Sequence, residues 1–318
     1  MLNNLRFLFR DFLSFFRQDF NFKVYSYFFL VIAGSILVNY CTAWGQSFER
    51  GYTPLGTSFL NHLLRYGSLY YLIAIPILII KKQYAELRNP VFYLKSALFI
   101  TLLAFTDNFS WRDVLNFSNY NAFEQSYIFK VLWRTRNLFF ILPVLIFLRI
   151  FIDKKIKGLY GLCRGTHHIK AYMSLYLVIV PVLIAVSFTP DFLSYYPSYK
   201  PWVFGGVFER PVWLNTFIYE FVYMSDFVMV ELFFRGALVI GMAALLGRNA
   251  VLPMVAVYVA LHFGKPAAET ISAIFGGYFL GALAFQTRHI WGGVIIHMGI
   301  ALLIELVRFF DYYILKIG

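Results

Sequence analysis

Residues 225–247, SDFVMVELFFRGALVIGMAALLG, place two charged side chains, those of Glu231 and Arg235, inside a long apolar run. A charged group at bilayer depth costs at least ~2.5–3.5 kcal/mol on insertion scales, so such groups usually face the interior of a helix bundle. Residues four apart share one face of a helix. We therefore expect either an ion pair that lets both charges enter the membrane or a polar site that uses them.

Two later apolar stretches each contain one histidine. His262 lies in MVAVYVALHFGKP, residues 254–266, and His297 lies in IWGGVIIHMGIALLIEL, residues 290–306. A rise of ~1.5 Å per residue places Glu231 and both histidines within one ~30 Å hydrocarbon slab. A single buried histidine is more often a satisfied core residue than a ligand. One glutamate and two histidines together, however, form a ligand set that hydrolases use for zinc.

The composition of the whole chain is that of an all-α integral membrane protein. Of its 318 residues, 60% are hydrophobic and only 14% are charged. We predict a polytopic bundle of eight or nine transmembrane helices, because several runs approach the ~20 apolar residues that span a bilayer. The candidate spans lie at residues 24–41, 64–80, 91–106, 132–152, 171–188, 213–246, 250–264, 270–286 and 290–310.

The basic residues favour a lipid partner over nucleic acid. The formal net charge is +12, but these residues are spread through short loops between the spans. That distribution fits anionic lipid headgroups and the excess of basic residues in cytoplasmic loops, and it argues against nucleic acid as a partner. The densest cluster, at residues 154–157, supports an N-terminus on the inner side. Cys41 and Cys163 lie in separate segments, so no disulfide framework is expected.

Three parts are predicted along the chain. Residues 1–23 have the pattern of an amphipathic helix on the membrane interface, and packing against the protein itself is the alternative. Residues 24–211 are expected to form N-terminal transmembrane helices with aromatic outer loops, and residues 212–318 the helices that carry the candidate site. The outer loops at 107–129 and 189–211 fit an aromatic belt at the interface. A lid that gates access from the outer side is the alternative.

Two packing features are predicted near the histidines. Ala273, Gly277 and Gly281 form a stripe of small residues that lets helix backbones approach closely in lipid. Glu305 precedes Arg308 by three residues, and this spacing predicts an ion pair within one helix.

The motifs around these residues resemble the CPBP (Abi) family of intramembrane proteases, which are CAAX-prenyl-protease-like and bacteriocin-processing-like. The family pattern is Glu-Glu-x-x-x-Arg, then Phe-x-x-x-His, then His-x-x-x-Asn on successive core helices. Here ELFFRG, YVALHFGKP and IWGGVIIHMGIA occur in that order within residues 215–310. The resemblance matches Glu231 and Arg235 to the first motif, His262 to the second and His297 to the third.

Three positions depart from the family pattern. Val230 stands in place of the first Glu, Tyr258 in place of Phe, and Ala301 in place of Asn. The first Glu is the residue usually assigned to activating water in this family. The missing Asn removes an amide that could stabilise an oxyanion.

The chemistry that the resemblance implies is zinc-assisted hydrolysis of a peptide bond. His262 and His297 would hold Zn²⁺, which lowers the pKa of a bound water toward ~7. Glu231 would serve as the third ligand or as the base, with Arg235 holding it ionised and oriented. Glu269 is a second candidate for the base. Its alternative role is to stabilise the N-terminus of a helix.

The resemblance thus implies an intramembrane metalloprotease-like protein whose substrate is a membrane-associated or lipidated peptide or protein. It also implies a bacterial inner (cytoplasmic) membrane. The alternative is a catalytically inactive relative that acts as a membrane scaffold or as an immunity or binding protein. The sequence contains no HExxH motif, P-loop or G-x-S-x-G elbow. A transporter is disfavoured, because paired broken helices in two matching halves are missing.

Overall fold

The structure is a computed structural model that describes residues 2–42, 58–163 and 169–315. These residues form helices without a β-strand. Those of more than ten residues are α1 (Leu2–Asp19), α2 (Phe22–Cys41), α3 (Ser58–Ile80), α4 (Pro90–Asn108), α5 (Ala122–Phe151), α6 (Ile169–Ser187), α7 (Val212–Glu231), α8 (Val251–Leu261), α9 (Ala267–Thr287) and α10 (Trp291–Phe310). Short α-helical or 3₁₀ turns lie at Tyr84–Leu87, Trp111–Asp113, Pro190–Tyr195, Pro201–Phe204, Val207–Glu209, Ala243–Leu246 and Gly247–Ala250. Two π-helical segments lie at Leu232–Gly241 and Asp311–Leu315.

Eight helical stretches in the described part of the chain are long and apolar enough to cross a membrane. The predicted all-α, polytopic architecture is thereby confirmed. The sixth stretch, Val212–Leu261, has 50 residues and doubles back on itself. A straight helix would separate Phe234 and Tyr258 by ~36 Å, whereas their ring centroids are 5.1 Å apart. The reversal follows Gly247, whose φ of 56° is far less costly for glycine than for other residues.

The π-helical segment Leu232–Gly241 joins α7 to this reversal and is buried along its whole length. A Cβ on Gly236 would lie 2.8 Å from the carbonyl oxygen of Tyr160, and a Cβ on Gly241 would lie 2.7 Å from the Tyr160 ring. The two glycines therefore let the loop after α5 pack directly against the π-helix. Wide π-turns are rare in proteins and occur often at functional sites.

The small-residue stripe of α9 allows the close helix packing that was predicted, and the neighbour that it faces is α8. A Cβ on Gly277 would lie 3.0 Å from the Tyr258 ring, and a Cβ on Gly281 would lie 2.6 Å from the Met254 methyl group. Because both positions are glycine, α9 can approach α8 at the turn that carries Tyr258. Close packing here positions the elements of the candidate site.

The amphipathic helix α1 is confirmed as a helix and packs on α6 and α9. Phe15 is fully buried, and the Phe12 ring lies 5.0 Å from that of Phe279. Phe9 and Leu13 remain almost half exposed. One side of α1 therefore rests on the protein while exposed apolar side chains remain available for lipid. Whether this surface lies at the membrane interface stays a prediction.

Residues 188–211 lie between α6 and α7 and are held by charged side chains from other helices. The ammonium group of Lys130 donates to the carbonyl oxygen of Ser198 at 3.0 Å. Arg308 donates to the carbonyl oxygens of Leu193 and Tyr196, both at 3.2 Å. These contacts anchor residues 193–198 over the end of α10.

The predicted ion pair between Glu305 and Arg308 is wrong. Glu305 is fully buried and accepts a hydrogen bond from the backbone N–H of Ser198 at 2.9 Å. Arg308 instead pairs with Asp311, which lies one turn further along. The spacing alone could not reveal that a distant backbone segment offers Glu305 a buried donor.

Candidate functional site

Glu231 ends α7 where the helix changes to the π-helical segment. Its buried Oε1 lies 2.9 Å from Nη1 of Arg235, which is itself only 1% exposed. No guanidinium nitrogen of Arg235 has a hydrogen-bond partner among the described residues, so the contact is an ion pair rather than a hydrogen bond. The predicted pairing of these two charges is confirmed. Each charge makes the burial of the other possible.

His297 extends the ion pair across the bundle. Its Nδ1 lies 2.9 Å from Oε1 of Glu231, and its Nε2 lies 3.4 Å from the hydroxyl of Tyr258. A carboxylate beside a guanidinium only accepts, so we assign the imidazole proton to Nδ1. Nε2 is then an acceptor for the hydroxyl. The Phe227 ring, with its centroid 4.5 Å from that of the imidazole, borders the other side.

Gly293 leaves the space that the Glu231 carboxylate occupies. A Cβ on this glycine would lie 1.9 Å from Oε2 and 2.8 Å from the carboxyl carbon of Glu231. Oε2 is buried and has no hydrogen-bond partner among the described residues. The carboxylate therefore rests on the bare backbone of α10, one turn before His297. No larger residue at 293 leaves it there.

His262 directly follows α8, beyond the end of the sixth apolar stretch. Its Nδ1 lies 2.8 Å from the carbonyl oxygen of Tyr258. A carbonyl only accepts, so Nδ1 carries the proton and Nε2 keeps its lone pair. Burial, followed by the nearby Lys265 ammonium, lowers the pKa of His262 to about 3. The imidazole is therefore neutral near pH 7.

Glu269 faces His262 from the first turn of α9. One carboxylate oxygen lies 3.8 Å from Nε2 of His262 and accepts from the Lys265 ammonium at 2.6 Å. The other accepts from the hydroxyl of Tyr196 at 2.8 Å. Its place near a helix N-terminus also meets the alternative role predicted for it. The side chain is 17% exposed, whereas that of Glu231 is fully buried.

Tyr258 occupies the centre of this arrangement, a position that the sequence did not single out as functional. Its ring centroid lies 4.5 Å from that of His262 and 4.3 Å from the guanidinium carbon of Arg235. Its hydroxyl reaches His297. The spacing of four residues before His262 was the available signal, and it predicted only an aromatic border.

The predicted metal ligands are divided between two pairs. Glu231 contacts His297, and His262 faces Glu269, with the Tyr258 ring in contact with both imidazoles. Within the described residues, no group of three or more His, Cys, Asp or Glu side chains could hold a metal ion. This placement does not fit a zinc site with three protein ligands. Zinc binding stays a prediction.

The fold and the site together define a class: a polytopic, all-α integral membrane protein with a buried polar site between its C-terminal helices. Within this class, residues 211–303 match the family model described as type II CAAX prenyl endopeptidase Rce1-like. This part of the chain is similar to that family, and the resemblance found in the sequence is confirmed there. No curated protein and no solved structure matched the chain.

Proposed function

We propose that this protein is an intramembrane peptide hydrolase whose substrate is a membrane-associated or lipidated peptide. The observation that carries the proposal is the buried polar chain from Arg235 through Glu231, His297 and Tyr258 to His262. Burial of that many polar groups costs free energy unless they pair with one another or bind a ligand. The Rce1-like match over residues 211–303 supports protease-like chemistry for this part of the chain.

The gap between Nε2 of His262 and the Glu269 carboxylate supports activation of a water molecule between them. Nε2 of the neutral imidazole and the carboxylate oxygen are both acceptors, so at 3.8 Å they cannot bond each other directly. A molecule that donates two protons, such as water, satisfies both. Glu269 is also the more accessible carboxylate. We therefore assign the base to Glu269, where the sequence left the role open between Glu231 and Glu269.

Glu231 then has an orienting role. Its Oε1 is shared by Arg235 and His297, and its Oε2 is packed on Gly293. A carboxylate enclosed in this way fixes the ring and tautomer of His297 but has no room for a reacting water. Hydrolysis proceeds as water adds to the carbonyl carbon and gives one proton to Glu269. The C–N bond then breaks as that proton passes to the leaving amine.

A cleavage assay in proteoliposomes tests this proposal. Two fluorogenic probes are compared, one prenylated at a C-terminal cysteine and one unlipidated transmembrane peptide. We expect Glu269→Gln and His262→Ala to lose ~10²-fold or more in turnover, because a positioned base contributes about that factor. The matched controls are Glu220→Gln, a buried carboxylate on α7, and His289→Ala, a histidine just before α10; neither is part of the buried polar chain. They should retain turnover.

The result also separates the metal-dependent and metal-independent forms of the proposal. Zinc content is measured on the same preparations, since the resemblance implies the ion. Turnover unchanged in both Glu269→Gln and Glu231→Gln, or no cleavage of either probe by the unmutated protein, would overturn the hydrolase proposal.

A catalytically inactive membrane scaffold is the second candidate, and one observation favours it. Val230 packs against the apolar core beside Glu231, and Ala301 is buried in an apolar cluster with Phe227. Two positions that carry polar groups in the resembling family are therefore part of the packing here. Loss of a bound membrane protein in Glu231→Gln, without any cleavage by the unmutated chain, would support this candidate.

A further inference from the structure

The hydroxyl of Tyr258 is the one polar group that faces His297 from α8. Tyr258 is 6% exposed and packs against Gly277 of α9, so its ring has little freedom to turn away. The guanidinium carbon of Arg235 lies 4.3 Å from the centroid of the same ring. The ring therefore supports Arg235 by a cation–π contact, while the hydroxyl extends past it toward Nε2 of His297.

The hydrogen bond between Tyr258 and His297 is weak enough for the Tyr258 O–H to donate to another acceptor instead. With the proton of His297 on Nδ1, the Tyr258 hydroxyl donates to Nε2. At 3.4 Å this hydrogen bond is longer than the ~2.7–3.2 Å usual in proteins and is correspondingly weak. A stronger acceptor brought into the site, above all an oxygen that gains negative charge, would take the donor over.

Two positions of the site differ from the family pattern in opposite ways: position 258 carries an added hydroxyl, and position 301 lacks an amide. In the resembling family a Phe stands at position 258 and an Asn at 301, whereas this chain has Tyr258 and Ala301. Ala301 lies one turn after His297 on α10 and is buried with Phe227, whose ring borders His297. The two exchanges therefore fall on two helices that border one imidazole.

We propose that the Tyr258 hydroxyl is the oxyanion donor of this site and takes the place of the missing amide at 301. The inference rests on the proposed hydrolase function. When water adds to the peptide carbonyl, the C=O π electrons move onto oxygen. The Tyr258 O–H then turns from His297 to that oxygen. The hydroxyl keeps its own proton throughout, and the charge returns to the carbonyl as the C–N bond breaks.

The test is the steady-state kinetics of Tyr258→Phe on whichever probe the unmutated protein cleaves. This change keeps the ring, and with it the contacts to Arg235 and His262, and removes only the O–H. We expect kcat to fall about 10²-fold with little change in KM, as when one oxyanion donor is removed elsewhere. The control is Tyr223→Phe, a buried tyrosine whose ring lies 4.2 Å from the guanidinium carbon of Arg134, outside the site. It should match the unmutated protein.

A second variant tests the exchange directly. Adding Ala301→Asn to Tyr258→Phe restores the family arrangement and should recover much of the lost kcat. An unchanged kcat in Tyr258→Phe, or a change in KM alone, would overturn the inference while leaving the hydrolase proposal in place if Glu269→Gln still loses turnover. If the unmutated protein cleaves neither probe, both proposals fail.

Discussion

Gly293 shows how little room the site leaves at the scale of one residue. The Glu231 carboxylate is fixed from three directions, by Arg235, by His297 and by the backbone of α10. A buried carboxylate whose second oxygen has no hydrogen-bond partner among the described residues keeps its position through packing as much as through bonding. The smallest possible side chain at 293 is therefore a requirement of the charge network.

Gly293→Ala should accordingly destabilise the protein and reduce its activity. The added methyl group would lie 1.9 Å from Oε2, so the carboxylate has to move and its contact with His297 is lost. Overpacking of this kind costs ~1–3 kcal/mol. The measurement is the thermal unfolding midpoint in detergent, followed by turnover. The matched control is Gly276→Ala on α9, where an added Cβ meets nothing within 4 Å. Equal midpoints for the two variants would contradict the packing argument.

Spacing within one helix predicted one ion pair correctly and another, between Glu305 and Arg308, wrongly. The pairing of Glu231 with Arg235 follows from their spacing of four. The pairing across helices did not follow, because it depends on how α8 and α10 are rotated about their axes. A spacing pattern contains no such information. The sequence therefore grouped His262 with Glu231 and His297, whereas the structure has it facing Glu269.

At the scale of elements, the segment 188–211 connects the site to the far end of α10. Tyr196 donates to Glu269 and also offers its carbonyl oxygen to Arg308. The sequence predicted either an aromatic belt or a lid for this segment. Its contacts with charged side chains show that it is bound to the site helices, and whether it opens stays a prediction.

Arg308→Ala should loosen this segment. The change removes two hydrogen bonds to backbone carbonyls, at Leu193 and Tyr196, and leaves the buried Asp311 without its cation. We expect limited proteolysis within residues 188–211 to become at least several-fold faster, because local opening free energies depend on such contacts. Arg112→Ala is the control, since Arg112 lies over the Phe129 ring outside this segment. Equal cleavage rates in both variants would show that Arg308 does not anchor the segment.

The π-helical segment is the element that the sequence could not predict. Its residues, LFFRGALVIG, are apolar enough for any buried helix. The wider turn depends on the close approach of Tyr160 to Gly236 and Gly241, which is a contact between distant parts of the chain. The reversal at Gly247 was easier to predict, since the predicted spans 213–246 and 250–264 are separated only by Gly-Arg-Asn.

At the scale of the whole molecule, the site helices share one apolar core with the N-terminal half. Buried residues of α2, α3, α4 and α5 belong to the same cluster as those of α7, α8 and the π-helical segment. The sequence predicted that the helices carrying the site begin at residue 212, and this boundary stays a prediction. The Rce1-like match begins next to it, at residue 211, but the apolar core extends across the boundary.

Residues 211–318 expressed alone should therefore fail to fold. The fragment would expose the faces of α8 and α7 that α3 and α5 cover in the intact chain. We expect aggregation in size-exclusion chromatography, and recovery of a monodisperse complex when residues 1–210 are co-expressed as a separate chain. A fragment that is monodisperse and unfolds cooperatively by itself would show that the shared core is dispensable.

The position of α1 has a consequence for how the chain is assembled during its synthesis. The Phe279 ring that covers Phe12 is synthesised roughly 270 residues after Phe12, about half a minute later at ~10 residues per second. Until then α1 has α2 and α6 as possible partners, but the face that α9 covers is still open. During that interval the lipid surface can shield the apolar side chains of α1 from water. The contacts between α1 and α9 thus join two helices that are synthesised far apart in time.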